Sequence, residues 1–552
     1  MALSPNSRAR PTAPKKVSKL LLYLVPTIAI SPSLVWVAID KSVWPWDQAW
    51  YGRLSVELFY TLVRSPWKWV IMTVGPHAKA PGIFWIGQFF VPLGHLLPSI
   101  DIALLVSILT TQALVLILMY RSIQHLCAGK TLVAVAGCGV IASAPLFVGL
   151  SHQYLVEPMQ TLAVAWFVLI MAFAPRWGRA RILGHLLAAT SFAMLAKASS
   201  PLYCMGPGLL ALGYALKPNS VGHRENWRRR PVIALIAFAL FLALATAVWY
   251  ARSAEYVMLT GSRAFSGPFA ELYGKEDTYL NTMIYWLGAT RVSFFVPQVF
   301  VVAVLIFLGG CLARLAKRDT PSQHFTVCAA VALAQIAGYY AVFSFGSGRD
   351  TRYLLPLLPY VAILICWLTA QGKRPILSSL AIAIFSLQFA LVHGQALGII
   401  QPDPAISGWA YAPSSDTKNA TTLDSIVSRT CSEATEDRNN VIGVELSWLN
   451  LHSVAYHAAK NLAPGNIRCL YDNLGYVESD PDRAWSKVLS LNTLYYITVD
   501  PVLYPVPSDP FNQVSVPALD RVRSSSMFAQ EAPLQENPAI LIFRAIEDTP
   551  SS

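Results

Sequence analysis

Charge is scarce in this chain. Only 13% of its 552 residues are Asp, Glu, Lys or Arg, while 55% are hydrophobic. A soluble domain carries about 25% charged residues, so a large soluble enzyme is excluded. Metal-type cysteine spacing is missing too. The 8 cysteines form no CxxC pair and no cluster with histidine, which removes zinc-ribbon frameworks. There is no internal repeat, a feature common in membrane transporters, and no low-complexity segment. The last 150 or so residues contain neither a Gly-rich phosphate loop nor a catalytic motif.

What is present is a series of apolar runs near the roughly 20 residues that cross a hydrocarbon core as helix. They fall at about 20–39, 100–120, 131–150, 157–174, 182–198, 201–216, 232–251, 292–312, 325–345, 353–371 and 376–397. The expectation is an α-helical polytopic membrane protein of about eleven transmembrane helices. The first run follows Arg8, Arg10, Lys15, Lys16 and Lys19, contains Pro26 and Pro32, and lacks a clear small-residue cleavage site. It reads as a retained signal-anchor.

Charge sets the orientation. Residues 1–399 hold 32 Lys/Arg against 12 Asp/Glu, and residues 400–552 hold 10 against 18. With the N-terminus in the cytoplasm, the basic tail 1–19 and alternate loops take 20 of those 32 cations and only Glu225 and Asp319 among the acids. That is the positive-inside pattern. It accounts for the net charge of +12 without a nucleic-acid partner. An odd number of spans puts residues 40–99 and 400–552 outside the cytoplasm. The division expected is a tail (1–19), a transmembrane catalytic domain (20–399) with an extracytoplasmic loop (40–99), and a soluble extracytoplasmic α/β domain (400–552). In the last, VIGVEL, LYYITVD and AILIFRAI read as strands, and LHSVAYHAAKN and DRAWSKVLS as helices. Cys431 and Cys469 both fall there, where a disulfide can form.

Loop 40–99 is rich in tryptophan. Tyr51, Leu54, Leu58 and Leu62 recur at helical spacing, as in an interfacial amphipathic helix, and a second short one is expected at IFWIGQFF. Asp47, in VWPWDQAWYG, is either the N-cap of that helix or a general base reachable by both a lipid and a water-soluble group. Lys79 is either a snorkelling lysine or a site cation. Glu157, opening the fourth span, either offsets a helix N-terminus or meets a ligand. His152 lies five residues earlier, off the same face, a weak metal spacing. Lys197 ends one span beside a tight connection. Arg349 and Arg352 stand where positive charge is disfavoured, and ionisable membrane residues are candidates for function. A phosphate would explain Lys197 and Arg352 together, as would lipid headgroups.

In order along the chain, WDQAWYG resembles the D-E-x-x-Y motif of the GT-C glycosyltransferases, HAKAPGIFWI their K-P-P-L-x-x-W segment, and LVEPMQTLAV their acidic–Pro step. LAKASSP is similar to their lysine-bearing connection and TRYLLPLLPY to their R-Y-x-x-P helix. The aminoarabinose transferases of lipid A and the protein O-mannosyltransferases are the nearest in kind, and the likeness spans about residues 20–375. Gln48 replaces a second acid, Gly82 interrupts the apolar step and Glu157 stands for a commoner Asp. The resemblance implies a membrane glycosyltransferase with a polyprenyl-phosphate-sugar donor and a glycan, lipid or protein acceptor, in a bacterial inner membrane. Asp47 would be the base, and Tyr51, Lys79, His152, Glu157, Lys197, Arg349, Arg352 and Tyr353 would bind substrates. Whether a divalent metal takes part is left open by these residues. The rival reading is a polytopic lipid or glycan transporter or flippase.

Overall fold

The structure, a computed structural model, describes residues 16–217, 230–266, 278–316, 322–346, 348–370, 376–401, 403, 408–432, 438–461 and 469–546. The tail up to residue 15, most of the basic loop 217–230, and Glu271, Glu276 and Asp277 lie outside the described residues.

The protein is a polytopic bundle of α-helices. Among the described residues, 6 helices are long and apolar enough to cross a bilayer: Lys19–Ile39, Ile100–Leu126, Arg230–Arg263, Gln323–Phe343, Thr351–Thr369 and Ile376–Ala396. Two bent pairs, Thr131–Ala142 with Pro145–His152 and Tyr279–Phe294 with Pro297–Leu312, bring the number to 8. The remaining expected spans are the helices Glu157–Phe173, Arg179–Ala196 and Ser200–Leu216, of 17, 18 and 17 residues, so eleven crossings were expected where length and apolar character together pick out fewer.

Two departures have simple causes. The run expected at 292–312 is broken, with a bend of 102°. Phe295 is extended there (φ −136°, ψ 139°), and Pro297, which has no N–H to donate, opens the next helix. The stretch between the apolar runs at 232–251 and 292–312 is helical as far as Ser266 and again from Tyr279. Helix Arg230–Ser266 does not stop where its hydropathy does, because charged residues such as Arg252, Glu255 and Arg263 are themselves adequate helix formers.

Burial separates the centre of the bundle from its rim. Helix Ile100–Leu126 is packed on most sides, whereas Phe238, Phe241 and Leu244 of Arg230–Ser266 are exposed, as suits side chains that face lipid.

The C-terminal region is a mixed sheet of β1 (Asn439–Ile442), β2 (Tyr471–Asn473), β3 (Thr493–Val499), β4 (Phe528–Gln530) and β5 (Ile540–Ala545), in the order β2-β1-β3-β5-β4. β1 runs parallel to β2 and β3, while β5 is antiparallel to β3 and β4. β3, TLYYITV, is buried along its whole length, the mark of a strand covered on both faces. Tyr495, Ile497 and Val499 join the apolar cluster that contains Leu423, Ile426 and Val454. Tyr496 joins Val488, Leu519 and Val522 in the other. Cys431 and Cys469 are disulfide-bonded, with Cα atoms 5.5 Å apart.

This region rests on the first loop. Helix Leu451–Asn461 packs against the interfacial helix Trp46–Arg64. The Tyr456 ring stacks on Trp44 (5.0 Å, 11°), which stacks in turn near Tyr154 (5.5 Å). Tyr456 Oη donates to Asp101 Oδ1 (2.5 Å), and Lys460 Nζ reaches Asp101 Oδ2 at 3.0 Å. Gly52 permits this approach, since a Cβ there would lie 2.9 Å from both Trp44 and Tyr456 ring carbons. Gly52→Ala is therefore expected to destabilise the docked arrangement by about 1–3 kcal/mol, as overpacking does. Faster proteolysis of residues 400–552 in Gly52→Ala than in wild type would report it.

Candidate active site

Helix Trp46–Arg64 begins after Pro45, which holds the N-cap position in extended backbone (φ −84°, ψ 157°) and makes no side-chain capping bond. Asp47 is therefore not the N-cap, which corrects that reading. It stands in the first turn, where the helix dipole favours a carboxylate. Lys79, on the loop before the short helix Gly82–Gly87, pairs with Asp47 Oδ1. Its ammonium also lies 5.4 Å from the Trp50 ring centre and 5.6 Å from that of Tyr51. Burial would raise the Asp47 pKa, but Lys79 and then Arg352 overcome it and hold the carboxyl at about 2, with His452 adding to them. Solvent still reaches this carboxylate, whose side chain is 41% exposed.

Two further ion pairs share the site. Glu157 is the first residue of its helix, and Lys197 closes helix Arg179–Ala196 in extended backbone. Lys197 Nζ donates to Glu157 Oε1 at 2.9 Å and lies 4.0 Å from the Tyr353 ring centre. Glu157 is buried, and its Oε2 has no hydrogen-bond partner among the described residues. Arg352 Nε donates to Asp350 Oδ2 at 2.7 Å, and Asp350 also caps the turn Thr351–Leu357 by accepting from the Arg352 N–H (3.0 Å). Arg352 is in electrostatic range of Glu157, Asp350 and Asp47, and Tyr51 of Asp47, Glu157, Arg352 and Tyr353. Asp47, Tyr51, Lys79, Glu157, Lys197, Arg352 and Tyr353 thus come together.

The backbone explains how. Gly82, a departure from the family motif, faces the Leu195 carbonyl at a distance of 2.7 Å from where a Cβ would sit. Its missing side chain lets the Lys79 loop lie against the end of the helix that presents Lys197. The His77 N–H donates to Ser253 Oγ (3.3 Å) and fastens the same loop to helix Arg230–Ser266.

Two expected residues sit elsewhere. His152 is buried and stacked flat on Trp36 (4.0 Å, 3°), with Nε2 3.3 Å from Ser33 Oγ. It is packed against the first membrane helix and is not among the residues brought together around Asp47, while its Nδ1 has no hydrogen-bond partner among the described residues. Arg349 lies against Tyr285, 5.1 Å from the ring centre, and reaches Thr282. Among the described residues no three His, Cys, Asp or Glu side chains gather in a way that could hold a metal ion.

Sequence reasoning missed Asp350 as the partner of Arg352, although its place two residues earlier is an Asx-turn signal. It also missed the contribution of the C-terminal region. Trp46 Nε1 donates to Glu445 Oε2 at 3.2 Å, and His452 lies in electrostatic range of Lys79, Asp47 and Arg53. No short-range pattern announces contacts across 399 residues.

No family model and no curated protein sequence matches the chain. Among solved structures it is similar to ArnT from Cupriavidus metallidurans in the apo state, with a TM-score of 0.53 and 14% identity over 96% of this chain and 99% of that one. The structure of ArnT bound to undecaprenyl phosphate aligns equally, TM-score 0.53 and 14% identity, over 97% and 99%. Arabinofuranosyltransferase AftD from Mycobacteria aligns with 96% of this chain and 40% of its own, at TM-score 0.51 and 10% identity. The chain has the fold of the GT-C glycosyltransferases.

Proposed function

We propose that the protein is a membrane glycosyltransferase. It moves a sugar from a polyprenyl-phosphate donor to a hydroxyl of a glycan, lipid or protein acceptor on the extracytoplasmic face, with inversion. The observation that carries this reading is the convergence of Asp47 with Lys79, Arg352 and the Glu157–Lys197 pair. ArnT, whose fold the chain shares, has been solved with undecaprenyl phosphate, which supports a donor of that class. The surplus of cations on one set of loops supports a cytoplasmic N-terminus; a bacterial inner membrane is what the resemblance implies.

The acceptor oxygen attacks the anomeric carbon as Asp47 takes its proton. The bond from that carbon to the phosphate oxygen breaks, and its electron pair leaves with the polyprenyl phosphate. Phosphate needs no proton to depart when cations neutralise it, and Arg352 and Lys197 are those cations. Direct attack from the face opposite the leaving group inverts the centre. A second carboxyl, which glycoside hydrolysis requires, is not needed, so Gln48 beside Asp47 is tolerated. Glu157 Oε2 is an acceptor for a hydroxyl of the donor sugar.

The test is transfer in membranes supplied with radiolabelled polyprenyl-phosphate sugars. Label covalently attached to an acceptor supports the reading. Lipid translocation without transfer would instead favour a flippase.

Acid titration gives a second check. Asp47 is held near 2 by Lys79 and Arg352 against burial, so it stays ionised throughout the neutral range. In Lys79→Met the burial effect loses its largest opponent. The acidic limb of kcat/KM is then expected to move up in pH from about 2, although Arg352 still holds it down. A limb that does not move would separate Asp47 from the proton transfer.

A further inference from the structure

The C-terminal helix that covers the site brings a side chain the mechanism above does not use. His452 lies in the first turn of Leu451–Asn461. Its backbone N–H donates to Asn450 Oδ1 (3.0 Å), and so does that of Ser453 (3.0 Å). Ser453 Oγ donates to the Trp44 carbonyl (2.8 Å), three residues before Asp47. On the other side, Trp46 adopts a left-handed backbone angle (φ 24°) that few non-glycine residues take. Its indole is tied to Glu445, which also accepts from Asn473 Nδ2 (2.8 Å). Residues 44–47 and 445–453 are thereby joined at two points, and His452, on the segment so tied, lies in electrostatic range of Asp47.

The imidazole is not engaged in holding the fold. Its Nδ1 is enclosed and has no hydrogen-bond partner among the described residues. The charged groups around it are Lys79, Asp47 and Arg53. Burial, and then Lys79, push its pKa down to about 4 although Asp47 opposes them, so the ring is neutral at pH 7. A neutral imidazole offers one donor and one acceptor nitrogen. A ring nitrogen with no partner, in electrostatic range of Asp47, is a place for a ligand group.

Resting on the glycosyltransferase reading, we propose that His452 is an acceptor-binding residue, which holds a second hydroxyl of a sugar acceptor beside the one that Asp47 deprotonates. The reacting hydroxyl is occupied by Asp47, so a partner for His452 must come from a neighbouring hydroxyl on the same acceptor. A pyranose carries such a neighbour. A serine or threonine side chain does not.

The experiment uses the full-length protein in proteoliposomes with a radiolabelled polyprenyl-phosphate sugar and a panel of octyl glycosides as acceptors. Label transferred to the glycoside and label released to water are measured separately. His452→Ala is expected to raise the KM for the glycoside about tenfold, the scale of one lost neutral hydrogen bond. The KM for the donor and the release to water stay as in wild type, and His452→Gln, which keeps a donor and an acceptor, recovers most of the loss. An unchanged glycoside KM overturns the proposal. So does a joint fall of transfer and release, which would mean that His452 only positions Asp47, and so does transfer to a serine/threonine peptide that ignores the substitution. Wild type that transfers to nothing overturns the function reading itself, a result distinct from an active wild type with a normal His452→Ala. Nitrogen-15 histidine NMR adds a readout without turnover: Asp47→Asn should lower the pH at which His452 titrates, because it removes the one neighbour that raises it. No shift would overturn the placement.

Discussion

Asp47→Asn lowers the rate of sugar transfer by roughly 10²–10⁴-fold, the usual worth of a general base, and leaves the protein folded. Asparagine has the same size and keeps a carbonyl oxygen for the Lys79 ammonium, so the loop that carries Lys79 stays in place. The lost ion pair contributes little to stability, because both side chains are partly exposed (35% for Lys79, 41% for Asp47) and solvent-screened pairs are worth about 0–1 kcal/mol. The two explanations for an acid at this position therefore separate cleanly. A base predicts a collapse of kcat with an unchanged melting temperature. A purely structural carboxylate predicts the reverse. Single-turnover transfer, with the thermal midpoint measured on the same preparation, decides between them.

Lys197→Met is expected to fail twice over. Transfer falls by about 10²–10³-fold, because one cation that meets the leaving phosphate is gone. The fold also suffers, because Glu157 is left buried without the partner that now stands 2.9 Å away. Removing one member of a buried pair costs about 3–5 kcal/mol. The two effects come apart in the double variant Lys197→Met/Glu157→Gln. Its glutamine carries no charge to strand, so the thermal midpoint should return most of the way to wild type while transfer stays low. Recovery of transfer along with stability would reduce Lys197 to a support for Glu157.

The membrane half of the fold was legible because hydropathy and length are local properties. Where the prediction slipped, geometry that composition does not encode had intervened. The extended Phe295 ahead of Pro297 splits one apolar run in two, and helix Arg230–Ser266 outlasts its hydropathy. In the C-terminal region, β1, β3 and β5 overlap the three expected strands. β2 and β4, of three residues each, are too short to show an alternation.

The site divides in the same way. Asp47, Lys79, Glu157, Lys197 and Arg352 stand in recognisable stretches, and charge is costly enough near a bilayer to draw notice. His152 lies apart from the residues gathered around Asp47, which its place five residues before Glu157 does not reveal. Only packing reveals that Trp36 lies flat against its ring. Pro45 outranked Asp47 for the cap because the helix starts two residues earlier than a capping Asp47 would require. His452 and Glu445 carry no local signal at all, since their meaning depends on a sheet region folding back over the loop.

That fold-back has a temporal side. The strained Trp46 and its fixing partner Glu445 are 399 residues apart. At about 5–20 residues per second of synthesis, the segment that carries Trp46 and Asp47 leaves the ribosome roughly 20–80 s before the residue that steadies it. Throughout that interval the Asp47 carboxylate exists without the brace that Glu445 gives its neighbour Trp46. A chain interrupted before Glu445 would reach the bilayer with Trp46 untethered, and the first-loop helix would lack its anchor until the last fifth of the polypeptide has been made.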